Sequence, residues 1–390
     1  MKVPFAIPEC DAEEIEEVTA VIKSGWLTTA SRCAQFEKDF AGFVGAKHAL
    51  VVNSATAALH LGLEALGIKA GDKVLVPTFT FTATAEVVRY LGADPVFVDC
   101  DRETFCINTT HIDNAVEGER LKLKAGKLKA IIPVHFGGHP CQIDPILEFA
   151  KKGGLKVMED AAHAIPTRYK GRLVGAFGDV TCFSFYANKT MTTGEGGMLC
   201  TDDDEIAKRV KVMRLHGINR DVWDRFSTGA SWEYDVVAPG FKYNMPDINA
   251  ALGIHQLKKV ELFREKRERI ARIYYEELGE IPGLILPRLH CDMKDHSWYI
   301  FVVLIDRGRT RGGIGRDEFI DEMTKRNIGT SVHYKPLHRM TYYREKYGLK
   351  PEMFPNAEWV FERCVSLPMF SAMTDEQLEY VVDNIKDILG

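Results

Sequence analysis

No Cys-x-x-Cys pair occurs in these 390 residues, and the nine cysteines are odd in number and scattered. Zinc ligation and a disulfide framework are therefore both poor readings. No apolar run approaches the roughly 20 residues of a membrane-spanning helix. Stretches such as Phe301–Ile305 have the length of single buried strands. The amino terminus soon meets Glu9, Asp11, Glu13 and Glu14 and so lacks a signal peptide's apolar core; a cytoplasmic protein is expected. Neither sign of charge is in excess. Fifty Lys and Arg stand against 55 Asp and Glu, a net charge of −5 that gives no footprint for nucleic acid. Repeats and low-complexity tracts are absent too. With 46% hydrophobic and 27% charged residues, the chain reads as globular and enzyme-sized, long enough for two or three domains.

The opening helix has a capping Asp11, an expected apolar face of Ile15, Val18 and Ile22, and a stop at Gly25. From there to about residue 202, short apolar runs alternate with helical stretches. His48–Val52, Lys73–Val76, Pro95–Val98, Ala130–Val134, Leu155–Met158, Val180–Phe185 and Gly197–Cys200 read as strands, several of them apolar throughout. Strands covered on both faces look like that, so an α/β sandwich around a largely parallel sheet is expected. After a helix at Asp203–Leu215 comes a loop rich in charge and Trp, from Asn219 to about Tyr243. A long helix starting at Pro246 follows. From about residue 255 the pattern is that of a smaller α+β domain, with strands at His296–Asp306 and Gly329–Tyr334 and a last helix capped by Thr374-x-x-Gln377.

Open α/β sheets bind ligands beyond the carboxyl ends of their strands. Four strand ends there carry chemistry: Glu159-Asp160-Ala161-Ala162-His163, Tyr186-Ala187-Asn188-Lys189, Asn53-Ser54-Ala55-Thr56 and Pro77-Thr78-Phe79-Thr80-Phe81. Singly, each has an ordinary explanation as a surface lysine, a helix cap or a core aromatic. Together they meet the needs of pyridoxal phosphate. That cofactor requires a lysine amine, an acid beside the pyridine nitrogen, donors for its phosphate and an aromatic against its ring. A nicotinamide enzyme would need Gly-x-Gly-x-x-Gly after the first strand, and Asn53–Ala57 contains no glycine.

An ordered series of stretches then resembles the sugar-nucleotide aminotransferases of the DegT/StrS type, within the fold-type I pyridoxal phosphate enzymes, along nearly the whole chain. The series is Ser24–Thr29, Ser54–Leu59, Glu159–Ala164, Phe183 through Lys189 to Gly197, Lys242–Ala250 and Val332–His338. The resemblance implies a large α/β/α domain at residues 1–254, with a mostly parallel sheet, and a smaller α+β domain at 255–390 onto which the first 25 residues pack. It makes Lys189 the Schiff-base lysine, Asp160 the pyridine partner, Phe81 the stacking aromatic and His163 the group against the ring near its hydroxyl. Ala55, Thr56 and Ser184 become the phosphate cup, joined by Asn244 from the neighbouring subunit of a homodimer. Trp26, Leu27, His333 and Lys335 match segments near the sugar-nucleotide pocket; His333 and His338 fit equally well as satisfied histidines.

Related 3-dehydratases carry histidine in place of the lysine, so Lys189 favours transamination. The implied reaction is ping-pong, the cofactor cycling between pyridoxal and pyridoxamine phosphate, with L-glutamate as donor and 2-oxoglutarate as its product. The acceptor is a nucleotide-linked keto-sugar. Enzymes aminating UDP-linked 4-keto sugars, such as the UDP-4-amino-4-deoxy-L-arabinose–oxoglutarate aminotransferases, are the most similar. GDP- and dTDP-linked keto-6-deoxysugars and amination at C3 remain alternatives. A non-catalytic relative would have lost Lys189 or Asp160, and neither is lost. One departure stands out: Ala164-Ile165-Pro166 lies where relatives often have a glycine.

Overall fold

A computed structural model describes residues 1–120, 128–219 and 233–390. Most of the expected Trp-containing loop, residues 220–232, therefore lies outside the described residues. Twelve strands are described: β1 (His48–Val52), β2 (Lys73–Pro77), β3 (Asp94–Val98), β4 (Leu128–Ile131), β5 (Lys156–Asp160), the hairpin β6 (Arg168–Tyr169) and β7 (Arg172–Leu173), β8 (Val180–Ser184), β9 (Gly197–Thr201), β10 (Leu284–Ile285), β11 (Phe301–Ile305) and β12 (Cys364–Leu367). The helices are α1 (Ala12–Ser24), α2 (Ser31–Val44), α3 (Ala55–Ala65), α4 (Ala83–Tyr90), α5 (Thr109–Arg120), α6 (Ile143–Gly153), α7 (Asp204–Met213), α8 (Asp247–Leu278), α9 (Arg316–Lys325), α10 (Thr341–Tyr347), α11 (Pro355–Phe361) and α12 (Asp375–Leu389).

The main sheet has the order β1-β9-β8-β5-β4-β2-β3 and is parallel from β8 to β3, with β9 antiparallel to both its neighbours. Both faces are apolar. In β1, Leu50 and Val52 enter one core cluster while Ala49 and Val51 enter another, around Phe36, Phe40, Phe183 and Phe185. Pro95 is tolerated because β3 is an edge strand, where a missing N–H leaves no ladder bond unmade. A three-stranded antiparallel sheet, β10-β11-β12, forms a third core with the later part of α8, α9 and α12. Helix α8 runs unbroken past residue 255 and feeds two clusters, Ala250–Val260 one and Ile270–Leu278 the other.

Three expectations are corrected. Helix α1 has its capping box at Asp11 and Glu14, but Ile15 and Ile22 are exposed and the buried residues are Glu14 and Val21. Glu14 accepts from Gln256 Nε2 at 2.9 Å and pairs with Lys259, so a polar contact docks α1 on α8. Second, His296–Ile300 is not strand. Trp298 takes a left-handed φ of 53°, and its N–H donates to His296 Nδ1 instead of to a neighbouring strand. Third, Gly329–Tyr334 makes only isolated bridges, Ser331 with Ser366 beside the Val3–Ile328 bridge, before turning inward.

Candidate active site

Three chain segments converge on Gly197. Antiparallel pairing sets it opposite Val52 of β1 and opposite Ser184 of β8. Val52 leads into Ser54, which caps α3 by accepting from Ala57 N–H at 3.1 Å, a contact worth about 1 kcal/mol. A Cβ on Gly197 would sit 2.5 Å from the Ser54 carbonyl carbon, so only glycine lets β9 approach the start of α3 this closely. Ala58 N–H returns to Ser54 O; among the described residues the amides of Ala55 and Thr56 meet no acceptor. Both residues line a cavity of about 370 Å³. Two orphan amides at a helix amino terminus, with the helix dipole behind them, form an anion site, and the Ser184 hydroxyl lines the same cavity.

Strand β5 delivers the acid. Its parallel register sets Asp160 beside Cys182 of β8, whose far end leads to Lys189. Asp160 is buried and accepts from Thr84 Oγ1 at 2.8 Å and from Ala162 N–H at 3.1 Å. Burial raises its pKa, and those two donors and the nearby Lys189 offset this only in part. Its neighbour Glu159 points to the other face of the sheet. There it accepts from Gly178 N–H (2.9 Å), Thr181 Oγ1 (2.8 Å) and His135 Nε2 (3.0 Å). His135 Nδ1 accepts from Cys141 N–H, which puts the imidazole proton on Nε2. Burial pushes the Glu159 pKa up, yet His135 first and then the Gly178 and Thr181 donors outweigh it and hold the carboxyl below its usual range. Glu159 is thus a satisfied structural acid behind the cavity.

Lys189 lies in the turn after β8, its N–H donating to Tyr186 O at 2.9 Å. The side chain is half-buried, part of it forming cavity wall, and its Nζ stands 4.1 Å from the centre of the Tyr299 ring. Desolvation lowers its pKa to about 7, against the opposing pull of Asp160. The amine is therefore largely neutral above that pH. Below about 7 the folded chain carries a buried ammonium, so the rate at which the protein takes up added pyridoxal phosphate is expected to fall about tenfold per unit as pH drops. A stopped-flow series from pH 5 to pH 9 checks this; a flat profile contradicts it.

His163 is tied into a chain of donors. Gly137 N–H donates to its Nδ1 at 3.2 Å, so the neutral ring carries its proton on Nε2, 3.0 Å from the Tyr334 hydroxyl. Tyr334 accepts that bond and keeps its own proton for a ligand in the cavity it lines. Burial, followed by the charges of Lys189 and His333, holds the His163 pKa well below the ordinary value. His333 faces Ser366 Oγ at 2.8 Å, and burial with Lys189 nearby lowers it to about 4. Phe81, 55% exposed, presents its ring at the cavity.

Eight of the expected residues thus line one cavity: Ala55, Thr56, Phe81, Asp160, His163, Ser184, Lys189 and His333. Four do not. Trp26 reaches back to Thr29 O, Leu27 and Lys335 are exposed, and Asn244 donates to Thr29 Oγ1 at 2.6 Å while accepting from Lys242 Nζ. His338 is a core histidine, satisfied by Thr78 (2.8 Å) and Glu358 (2.5 Å). Tyr299 and Tyr334 also line the cavity; Tyr334 lies within one of the resembling stretches, whereas Tyr299 sits in an apolar run without local signal. Pro166 is buried after a cis peptide bond in a turn closed by Thr167 N–H on Ala164 O. Among the described residues, no group of His, Cys, Asp and Glu could hold a metal, and no helix is long and apolar enough to cross a membrane. A wider cleft of about 550 Å³ between Arg102–Phe105 and Ile285–Arg288 offers no lysine, and its Glu103 is tied to Arg288 and His290.

The donor set fits pyridoxal phosphate. Two orphan amides suit a phosphate, a buried acid suits a pyridine nitrogen, and a largely neutral amine suits a carbonyl. The profile of the DegT/DnrJ/EryC1/StrS aminotransferase family matches residues 8–386. Uncharacterized protein MJ1066 of Methanocaldococcus jannaschii is 49% identical over 99% of this chain and 97% of its own length. The spore coat polysaccharide biosynthesis protein SpsC of Bacillus subtilis is 45% identical over the same shares. Among solved structures, the PLP-form of the putative sugar aminotransferase Spr1654 from Streptococcus pneumoniae superposes with a TM-score of 0.88 at 31% identity. That match covers 100% of this chain and 98% of the other.

Proposed function

The chain belongs to the DegT/DnrJ/EryC1/StrS aminotransferase family and is a pyridoxal-phosphate-dependent enzyme; on that premise we propose that it moves the amino group of L-glutamate to a nucleotide-linked keto-sugar. The observation that carries this reading is the gathering of Lys189, Asp160, His163 and the free amides of α3 on one cavity. When bound, the cofactor supplies an electron sink for the carbon that loses its proton.

The chain's own residues do the rest. Ala55 and Thr56 N–H groups and the Ser184 hydroxyl would hold the phosphate, and Asp160 would pair with the pyridine nitrogen. Lys189 Nζ would take the proton from the donor's α-carbon and return it to the carbon on the far side of the amino nitrogen, a role that needs the neutral amine its burial provides. Phe81 would stack on the ring and shield it from water. His163, fixed by Gly137 and Tyr334, would lie against the ring near its hydroxyl.

The acceptor is read as a UDP-linked 4-keto-sugar destined for a cell-surface polysaccharide. The likeness to a polysaccharide biosynthesis protein at 45% identity supports that destination. His333 at the cavity, with Trp26, Leu27 and Lys335 nearer the surface, are the candidates for the nucleotide-sugar. Asn244 does not line its own chain's cavity, which supports a homodimer in which it serves the partner's site; the large body is assigned to residues 1–254, the small one to 255–390, and the enzyme to the cytoplasm. The test is turnover of L-glutamate against UDP-, GDP- and dTDP-linked keto-sugars, read as 2-oxoglutarate released. Preference for the UDP sugar by about tenfold or more in kcat/KM is expected, since a site that hydrogen-bonds one base leaves its polar groups unpaired with another. A preference for GDP or dTDP sugars would overturn the nucleotide assignment, and no turnover with any of them would overturn the acceptor class.

A further inference from the structure

We propose that Tyr299 is the positioning residue for Lys189: its ring face receives the ε-amine and its hydroxyl holds the preceding residue, fixing where the amine waits whenever it is free. The proposal rests on reading Lys189 as the cofactor-linking lysine. Nζ lies 4.1 Å from the ring centre, well inside the roughly 6 Å reach of a cation–π contact. The same tyrosine donates from its hydroxyl to Asn188 Oδ1 at 3.2 Å, so two successive residues, 188 and 189, are gripped by one side chain.

The grip is rigid because Tyr299 is itself clamped. Arg267 of α8, 2% exposed, donates to the carbonyl oxygens of Trp298 (3.3 Å), Tyr299 (3.1 Å) and Met369 (2.9 Å). The ring packs on His163 with centres 4.4 Å apart. Burial raises the Tyr299 pKa, keeping the hydroxyl a donor. Tyr299 enters from the segment leading into β11, whereas Lys189 follows β8, so the three-stranded body reaches across to position the lysine of the main sheet.

A negative ring face favours the charged amine and so opposes the desolvation that lowers it. The other titratable groups around the amine are Asp160, His163, His333, Tyr334, Tyr186 and Glu195. Asp160 also favours the charge, through its carboxylate rather than through a ring face. Removing the ring face should then lower the Lys189 pKa and loosen its position.

The test uses the full chain without cofactor. The rate of Lys189 modification by a small amine-reactive reagent, located by peptide mass spectrometry, is followed against pH. Wild type should titrate near 7. Tyr299→Leu should titrate about one pH unit lower, while Tyr299→Phe, which keeps the face, should stay within about 0.3 unit of wild type. In case the leucine variant fails to fold, phenylalanines bearing zero to five fluorines at position 299 drain the ring face at constant shape, and the midpoint should fall stepwise along the series. Equal midpoints for Tyr299→Leu and wild type, or a flat fluorine series, would overturn the proposal. Neither readout needs cofactor or turnover, so its failure is distinct from a failure of the Lys189 assignment.

Discussion

Replacing Lys189 with alanine is expected to lower glutamate turnover by at least about 10³-fold and to abolish covalent capture of pyridoxal phosphate while leaving the fold intact. The reasoning starts from desolvation. A lysine held at about pH 7 is an unfavourable group to bury, and its side chain ends on a cavity rather than in a carboxylate pair. Nothing in the packing needs that amine, so alanine removes chemistry without removing a structural tie. Far-ultraviolet circular dichroism should match wild type, the melting temperature should be equal or higher because a destabilising buried amine is gone, and borohydride should no longer fix cofactor to the chain. Retained turnover in the alanine variant would sink the assignment of this residue.

The second large effect is expected at Asp160. Asp160→Asn keeps the shape and one acceptor for Thr84 Oγ1 but turns an amide NH₂ toward Ala162 N–H or toward the cavity. The lost hydrogen bond costs about 1–3 kcal/mol of stability. The lost charge matters more. Burial pushes the carboxyl toward its neutral form, but a cationic ring nitrogen facing it would favour the carboxylate, and that pairing would keep the nitrogen protonated. An amide cannot do so. Single-turnover rates with L-glutamate should fall about 10²-fold or more, whereas Thr84→Val, which removes one donor to the carboxylate, should cost far less. Rates within threefold of wild type for the asparagine variant would mean that Asp160 does not face the cofactor.

The strand ends were legible because short apolar runs ending in polar residues can hardly be anything else in an α/β chain. The reading of Asn53–Thr56, Glu159–His163 and Tyr186–Lys189 as neighbours follows from a parallel sheet, and β1, β5 and β8 do bring Ala55, Asp160 and Lys189 to one cavity. What failed was tertiary. The i, i+3, i+7 pattern of Ile15, Val18 and Ile22 predicts a buried stripe, but the surface α8 offers to α1 is Gln256 and Lys259, which select Glu14. Gly329–Tyr334 has strand composition, yet the chain must turn to bring Tyr334 to His163, and the ladder is given up. Tyr299 is invisible in sequence because an aromatic beside a core strand is usually core; its place on the cavity wall and the 4.1 Å approach of Lys189 separate it from Tyr274 or Phe301.

The most direct test of the account is to load the purified protein with pyridoxal phosphate, add L-glutamate alone, and measure the visible absorption together with 2-oxoglutarate. Loss of the absorption with one 2-oxoglutarate released per bound cofactor is the predicted result. Folded protein that takes up no cofactor, or that takes it up and releases no 2-oxoglutarate, would contradict it.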